Sequence, residues 1–221
     1  MKTYSQNEIR NTDDDSDTLF NTFFGETYHS VNGAMEESMH VFISEGLNFC
    51  LKNEISVFEV GFGTGLNAFL TLIEAQKNNK KVHYTTIEKF PVSSEIIQKL
   101  NYPDFYPEFG LNYKTLHSIA YQESVKITDY FFFEKINEDF IDFKFAKKYD
   151  VVFFDAFSYD TQPEMWTIDV FKKIFTALNT NGILVTYSSK GIVKQNLREA
   201  GFEIKRLKGY KKRHMLRGVK N

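Results

Sequence analysis

One cysteine, Cys50, occurs in 221 residues. A single thiol closes no internal disulfide and builds no cysteine-based zinc site. Between Phe49 and Leu51, Cys50 is expected as a buried structural thiol. Glycine and proline are scarce, 12 and 4, which excludes collagen-like, linker-like and disordered chains. No apolar run approaches the roughly 20 residues of a membrane helix. The stretch Met1 to Asp15 lacks the apolar core of a secretory signal. Five histidines without paired ligand spacing offer no metal site. The expectation is a soluble, cytoplasmic protein without metal. Core-forming residues are plentiful: 42% are hydrophobic, with 23 Phe and 12 Tyr. At about 150 residues per domain, the chain is one full domain with a small appendage.

The formal net charge of −2 hides an asymmetry. From Lys190 to Asn221 there are 11 Lys or Arg against 2 Glu, so the remaining body is acidic. A basic tail reads either as a footprint for a polyanion or as a solvated last hairpin.

No repeat or linker interrupts the chain. Around Asp13-Asp14-Asp15-Ser16 the first 30 residues read as a marginal hairpin. Residues 35–48 read as a helix carrying Met35, Met39, Phe42, Ile43 and Leu47 on one face. Strands and helices then alternate. Strands are expected over 55–60, 82–87, 125–133, 149–154 and 183–187, helices over 66–73, 92–100, 171–178 and 192–200, and a loop over 101–112. Segments 202–207 and 214–219 flank a turn at Gly209 to Lys212 as an antiparallel hairpin. Such alternation gives an α/β, Rossmann-like, doubly wound and mostly parallel sheet with a C-terminal antiparallel hairpin. Ligands then sit beyond the carboxyl ends of the strands, at loops 61–65, 88–91, 134–137, 155–163 and 188–190.

Glu59-Val60-Gly61-Phe62-Gly63-Thr64-Gly65 is the most informative stretch. Glycines let the backbone turn sharply and let a ligand approach without Cβ atoms in the way. Dinucleotide-binding folds use a close relative, GxGxxG, so the glycines alone decide little. Glu59, two residues before the first glycine, would repel a pyrophosphate. It suits S-adenosylmethionine, which carries a sulfonium and an ammonium. Glu88, at the end of the second parallel strand, is positioned for ribose hydroxyls. The alternative is a structural turn with two surface acids.

With those residues in view, the chain resembles the tRNA 5-methylaminomethyl-2-thiouridine methyltransferases, the methyltransferase domain of MnmC or its stand-alone form MnmD. The resemblance is carried by Glu59 to Asn67, Glu88-Lys89-Phe90-Pro91, Asp155-Ala156-Phe157, Pro163-Glu164-Met165-Trp166 and Ala200-Gly201-Phe202. The segment from Tyr28-His29-Ser30 through Glu37-Ser38 to Ile43 resembles the family's N-terminal signature, for coverage of roughly residues 18–219. It implies a class I S-adenosylmethionine-dependent methyltransferase at 51–221, with residues 1–50 as a lid. The implied cofactor-binding residues are Glu59, Gly61, Gly63, Thr64, Gly65, Asn67, Glu88 and Lys89. The chain departs from the family's Gly-Asp after the third strand, where Glu134-Lys135 stands; Glu134 is the candidate neighbour of the adenine. The oxidase half of bifunctional members is not matched, so flavin chemistry is not implied.

The implied reaction methylates the primary amine of an aminomethyl group on the wobble uridine of tRNA. Its catalysis is mostly positioning and exclusion of water. An alkyl amine near pKa 10.4 is protonated at pH 7, a handicap of roughly 3 units or about 4 to 5 kcal/mol. Asp155 is the expected catalytic residue. At an ordinary Asp pKa of about 3.9 it is a weak base, so its expected part is to accept an amine N–H and aim the lone pair. Tyr28, Phe157 and Glu164 are expected around the uracil, Phe157 as a stacking platform or as ordinary core. Lys211, Lys212 and Arg213, with Lys205, Arg206, Lys208 and Arg217, are expected at phosphates of the anticodon stem-loop. An enzyme that supplies the aminomethyl-uridine precursor is a further expected partner. The rival readings are a methyltransferase for a small-molecule or protein amine, a nicotinamide-dependent oxidoreductase, and a tRNA-binding module with an inactive cofactor pocket.

Overall fold

Asp13 to Ser16 fold the chain back on itself, with Thr12 N–H donating to Ser16 O at 2.9 Å and Asp15 at φ +64°. In the computed structural model, which describes residues 7–211 and 213–221, this turn joins β1 (Asn7–Asn11) to β2 (Asp17–Asn21), and β3 (Glu26–Thr27) completes a small antiparallel sheet. Helix α1 (Ala34–Ser38) runs straight into a π-helical segment, Met39–Leu47. The expected single helix is therefore present with a wider second half. Its apolar face belongs to the core: Phe42 lies 5.3 Å from Phe153, and a Cβ on Gly46 would meet Val185 at 2.9 Å.

Then follow β4 (Glu54–Val60), α2 (Leu66–Asn78), β5 (Lys81–Ile87) and three short helices, α3 (Ser94–Ile97), α4 (Tyr102–Phe105) and α5 (Gly110–Ser118). The expected helix over 92–100 shrinks to α3, and the expected loop over 101–112 contains α4 and the start of α5. Pro103 and Pro107 sit in first turns, where a missing N–H costs no helix bond. Tyr113 and Leu116 anchor α5 to the core.

The expected strand over 125–133 is a hairpin, β6 (Ser124–Lys126) and β7 (Phe131–Ile136), closed by Thr128 N–H donating to Phe131 O at 3.2 Å. Glu134 and Lys135 consequently lie inside β7 and not in the loop after it. The rest is β8 (Tyr149–Phe154), α6 (Ile168–Ala177), β9 (Leu178–Thr186), α7 (Gly191–Glu199), β10 (Glu203–Lys208) and β11 (His214–Val219).

The large sheet has the order β10-β11-β9-β8-β4-β5-β7-β6. Its five inner strands, β9 to β7, are parallel; β11 and β6 run antiparallel to them, and β10 pairs antiparallel with β11. Alternation along β4 sends Ile55 and Val57 into one core with α2 and the π-helical segment, and Phe58 and Val60 into the other with α6 and α7. From β4 the chain winds outward through β5 to β7, then returns to β8 on β4's other side. The carboxyl ends of β4 and β8 are thus neighbours at the switch point, where open α/β sheets bind ligands. Two expected site loops meet there, with Asp155 N–H donating to Val60 O at 3.0 Å.

The two ends of the chain also meet. His40 Nε2 donates to Lys208 O at 2.8 Å, Lys211 pairs with Asp13 at 2.9 Å, and Arg217 with Glu45 at 2.7 Å. The Tyr210 hydroxyl donates to Glu36. Among the described residues no helix is long and apolar enough to cross a membrane.

Candidate active site

A cavity of about 540 Å³ opens over the switch point. Its floor is the glycine loop. Gly61, Gly63 and Gly65 have φ of +93°, +51° and +75°, values that β-carbons disfavour. The loop is also tight: a Cβ on Gly61 would sit 2.6 Å from Asp155 O, and one on Gly63 2.9 Å from the Tyr28 ring. Gly63 and Gly61 line the cavity; Thr64, Gly65 and Asn67 lie behind it, where the loop enters α2. The Thr64 carbonyl accepts from Tyr113 hydroxyl at 2.9 Å and from His117 Nε2 at 3.1 Å, so α5 braces the loop from below.

Three carboxylates surround this loop. Glu59 is fully buried in β4, taking one hydrogen bond from Thr86 Oγ1 at 2.7 Å, while its other oxygen has no partner. Burial pushes its carboxyl up to about 8. Asp155, on the cavity wall, accepts from Asn67 Nδ2 at 2.8 Å, and burial pushes it up to about 7. Glu88 accepts Gly63 N–H at 3.0 Å and Phe90 N–H at 2.7 Å, yet burial still raises it. A carboxylate has about four acceptor positions, so Glu88 keeps capacity for hydroxyls. Buried acids with raised pKa values and spare acceptors suit a ligand that brings positive charge and hydroxyl donors.

The far wall comes from distant parts of the chain. Phe157 packs between Phe24, ring centroids 4.8 Å apart, and Tyr28, 5.1 Å apart. Its carbonyl accepts from Trp166 Nε1 at 2.8 Å, which fixes the loop after β8. Glu26 of β3 ties the same loop through Ser158 Oγ at 2.9 Å. Glu37, Lys89, Glu164 and Arg213 complete the rim.

Three expected site residues lie elsewhere, the first of them Arg217, which is buried with its guanidinium on Glu45 and does not face a phosphate. Glu134 is outside the cavity wall, on the β7 face where Thr85 and Lys147 meet it at 3.4 and 3.5 Å. Chain past the end of β7, at Glu138 to Ile141, lines the cavity instead, with Lys89 Nζ bonded to Asp139. Lys211 also lies off the cavity, paired with Asp13, and Lys212 is outside the described residues. His29 is neutral, its pKa pushed down to about 4 by burial. Among the described residues no His/Cys/Asp/Glu group could hold a metal.

Sequence reading missed Phe24, Glu26 and Tyr187. Tyr187 was within reach: it follows β9, lines the cavity and donates its hydroxyl to Ala156 O at 2.9 Å. Phe24 and Glu26 carried no comparable signal.

Residues 98–221 match a family model described as S-adenosyl-L-methionine-dependent methyltransferase. The chain is 30% identical, over 210 residues and 90% of its length, to the tRNA 5-methylaminomethyl-2-thiouridine biosynthesis bifunctional protein MnmC of Campylobacter fetus. It spans about a third (34%) of that relative's length. It superposes on the crystal structure of MnmC2 from Aquifex aeolicus with a TM-score of 0.82 and 27% identity, covering 98% of this chain and 71% of that one. The chain belongs to this family of S-adenosyl-L-methionine-dependent methyltransferases, that of the MnmC methyltransferase domain, and its cofactor is S-adenosylmethionine.

Proposed function

We propose that this enzyme N-methylates the aminomethyl group on the wobble uridine of tRNA, giving 5-methylaminomethyl-2-thiouridine. The reading is supported by the name of the MnmC relative, which is a tRNA 5-methylaminomethyl-2-thiouridine biosynthesis protein. The observation that carries it is Asp155: a buried carboxylate on the cavity wall, between the glycine loop and Phe157.

The cofactor's residues would be those around the loop. Gly61 and Gly63 let the loop turn at positive φ with Asp155 O and the Tyr28 ring packed against it, where a β-carbon would collide. Glu59, buried beneath the loop with one oxygen unpartnered, would be drawn into its charged form by the cofactor's ammonium. Glu88 would take the ribose hydroxyls, and the backbone from Glu138 to Ile141 would border the adenine, the part first expected of Glu134. When bound, S-adenosylmethionine supplies a methyl group activated by its sulfonium.

The protein's own task is to present a neutral amine in line with that group. Here Asp155 is a stronger base than its type suggests. At about 7 it sits roughly 3 units below an alkyl amine at about 10.4, where an ordinary Asp sits more than 6 below. It accepts an amine N–H, takes up the proton and holds the lone pair towards the donor. Phe157, backed by Phe24 and Tyr28, offers an aromatic face to a base taken out of its stack. Glu164 borders the opening. Lys205, Arg206 and Lys208 are exposed on β10, and with Arg213 they form the surface for anticodon-stem phosphates. In this reading the small sheet β1–β3 acts as the lid, since Glu26 and Tyr28 contact the loop after β8.

The test is methyl transfer from labelled S-adenosylmethionine into tRNA from cells lacking the terminal wobble methyl, read by nucleoside mass spectrometry. Label in 5-methylaminomethyl-2-thiouridine is expected. Label appearing only in a small-molecule or protein amine would move the activity to another substrate.

A further inference from the structure

The cavity holds a second carboxylate that the reading above leaves idle. Glu37, in α1, lines it with Asp155 and Arg213. Its side chain is 13% exposed, with Arg213 Nη1 3.9 Å away on a guanidinium side chain that is 57% exposed. A pair this long and this wet contributes little to stability. Ser30, His40 and Arg213 face Glu37, and its charge is felt by Asp155 and Tyr187 across the cavity. Burial holds its carboxyl above the usual range despite that arginine.

An ammonium has three donors, and a buried one must be paired. Asp155 provides one carboxylate; Glu37 provides another on the same cavity. Arg213 meanwhile belongs to the basic turn between β10 and β11, the surface that faces a polyanion in the reading above. Guanidinium binds phosphate through two parallel hydrogen bonds, which a single 3.9 Å contact cannot rival.

Resting on that reading of the substrate, we propose that Glu37 is the second carboxylate of the amine subsite, and that Arg213 is its counter-ion only until a tRNA phosphate takes the guanidinium. The exchange keeps charge balanced. In the free protein Arg213 offsets Glu37; in the complex an ammonium does. It is first the substrate's, before its proton passes to Asp155, then the one that methyl transfer creates on the same nitrogen, so that the loss of Glu37 is read in kcat. Docking of the backbone and acceptance of the amine are thereby linked, and an arm without positive charge leaves Glu37 unpaired. The subsite selects for the charge of the aminomethyl group as well as its shape.

The test compares wild type, E37Q, E37D and R213Q on undermethylated tRNA, with tRNA affinity measured separately by anisotropy without cofactor. E37Q is expected to lower kcat at least about tenfold, with KM for tRNA and cofactor affinity within about twofold. E37D, which keeps the charge but withdraws it by one methylene, is expected to lose kcat likewise; it carries the test if E37Q does not fold. R213Q is expected to raise KM and weaken tRNA binding, making the log–log salt slope shallower by about 1. Should E37Q instead raise KM as R213Q does and keep its kcat, Glu37 is only an ion-pair partner and the inference falls alone. Should wild type label no tRNA, the reading of the substrate falls and takes this inference with it.

Discussion

The two walls of the cavity are built differently. The cofactor wall is local: Glu59 to Asn67 is one strand-turn-helix passage, and Glu88 ends the adjacent strand. Its contacts are mostly backbone geometry and buried hydrogen bonds. The substrate wall draws on β3, α1, the loop after β8 and the β10–β11 turn, residues 24 to 213. Its seams are exposed ion pairs such as Lys211–Asp13, with side chains 43% and 61% exposed. The first wall is fixed within one local passage of the chain. The second joins distant segments, through the Phe24–Phe157–Tyr28 packing and the Glu26–Ser158 bond inside and through weak exposed ion pairs outside.

Substitutions can break this contrast, and the largest effect belongs to the cofactor wall. Gly61→Ala forces a β-carbon against Asp155 O and keeps φ positive, a strain of roughly 1–3 kcal/mol at the backbone alone. Calorimetry is expected to find cofactor binding lost, with a lowered melting temperature. Asp155→Ala separates the walls: methyl transfer should fall by more than about tenfold while cofactor affinity stays within about twofold. Near-normal turnover would remove Asp155 from the chemistry.

Phe157→Ala tests the substrate wall alone. Losing one stacked base is worth about 1–3 kcal/mol, so KM for tRNA should rise while cofactor affinity stays put. A cofactor defect would mean that Phe157 supports the cofactor wall.

Smaller still is a pH effect. Glu59 and Asp155 have folded pKa values of about 8 and about 7, both above their ordinary values. An acid with a raised folded pKa lends stability below its unfolded value and loses it as pH rises through the folded one. Buried His29 and His117, both pushed down to about 4, act in the opposite sense below pH 6.5. The cofactor-free melting temperature is therefore expected to fall between pH 7 and pH 8.5, and Glu59→Gln should flatten the fall. A melting temperature that climbs over this range would contradict the burial of these acids. Finally, with Lys211 already paired, tRNA binding should follow salt with a log–log slope of about −3, from three to four phosphate contacts. A flat response would count against a polyanion.

The contrast also explains what was legible in the sequence. Gly61 to Gly65, Glu88 and Asp155 stand at strand ends, so strand recognition and the switch-point rule locate them without knowledge of long-range contacts. Glu134 was misplaced because the run 125–133 hides a turn at Thr128 to Tyr130, where Tyr130 N–H donates to Thr128 Oγ1 at 3.2 Å. Aromatics fill only its second half, Tyr130 to Phe133, and the turn signal Thr128-Asp129 was absorbed into the strand because Val125, Ile127 and Phe131 keep alternating around it. The π-helical turn at Met39–Leu47 was unreadable for another reason. Its bonds, such as Asn48 N–H to Ile43 O at 2.8 Å, accompany packing of Gly46 against β8 and β9, which the local sequence does not encode. Phe24 and Glu26 reach the site only because β3 pairs with β2, a contact that periodicity in so short a strand cannot announce.

The most direct test of the central claim runs the labelling assay on wild type and Asp155→Ala side by side, with cofactor binding measured on both. Label in 5-methylaminomethyl-2-thiouridine from wild type alone, at equal cofactor affinity, is the expected result. Equal labelling by both proteins, or none from a wild type that binds the cofactor, would contradict it.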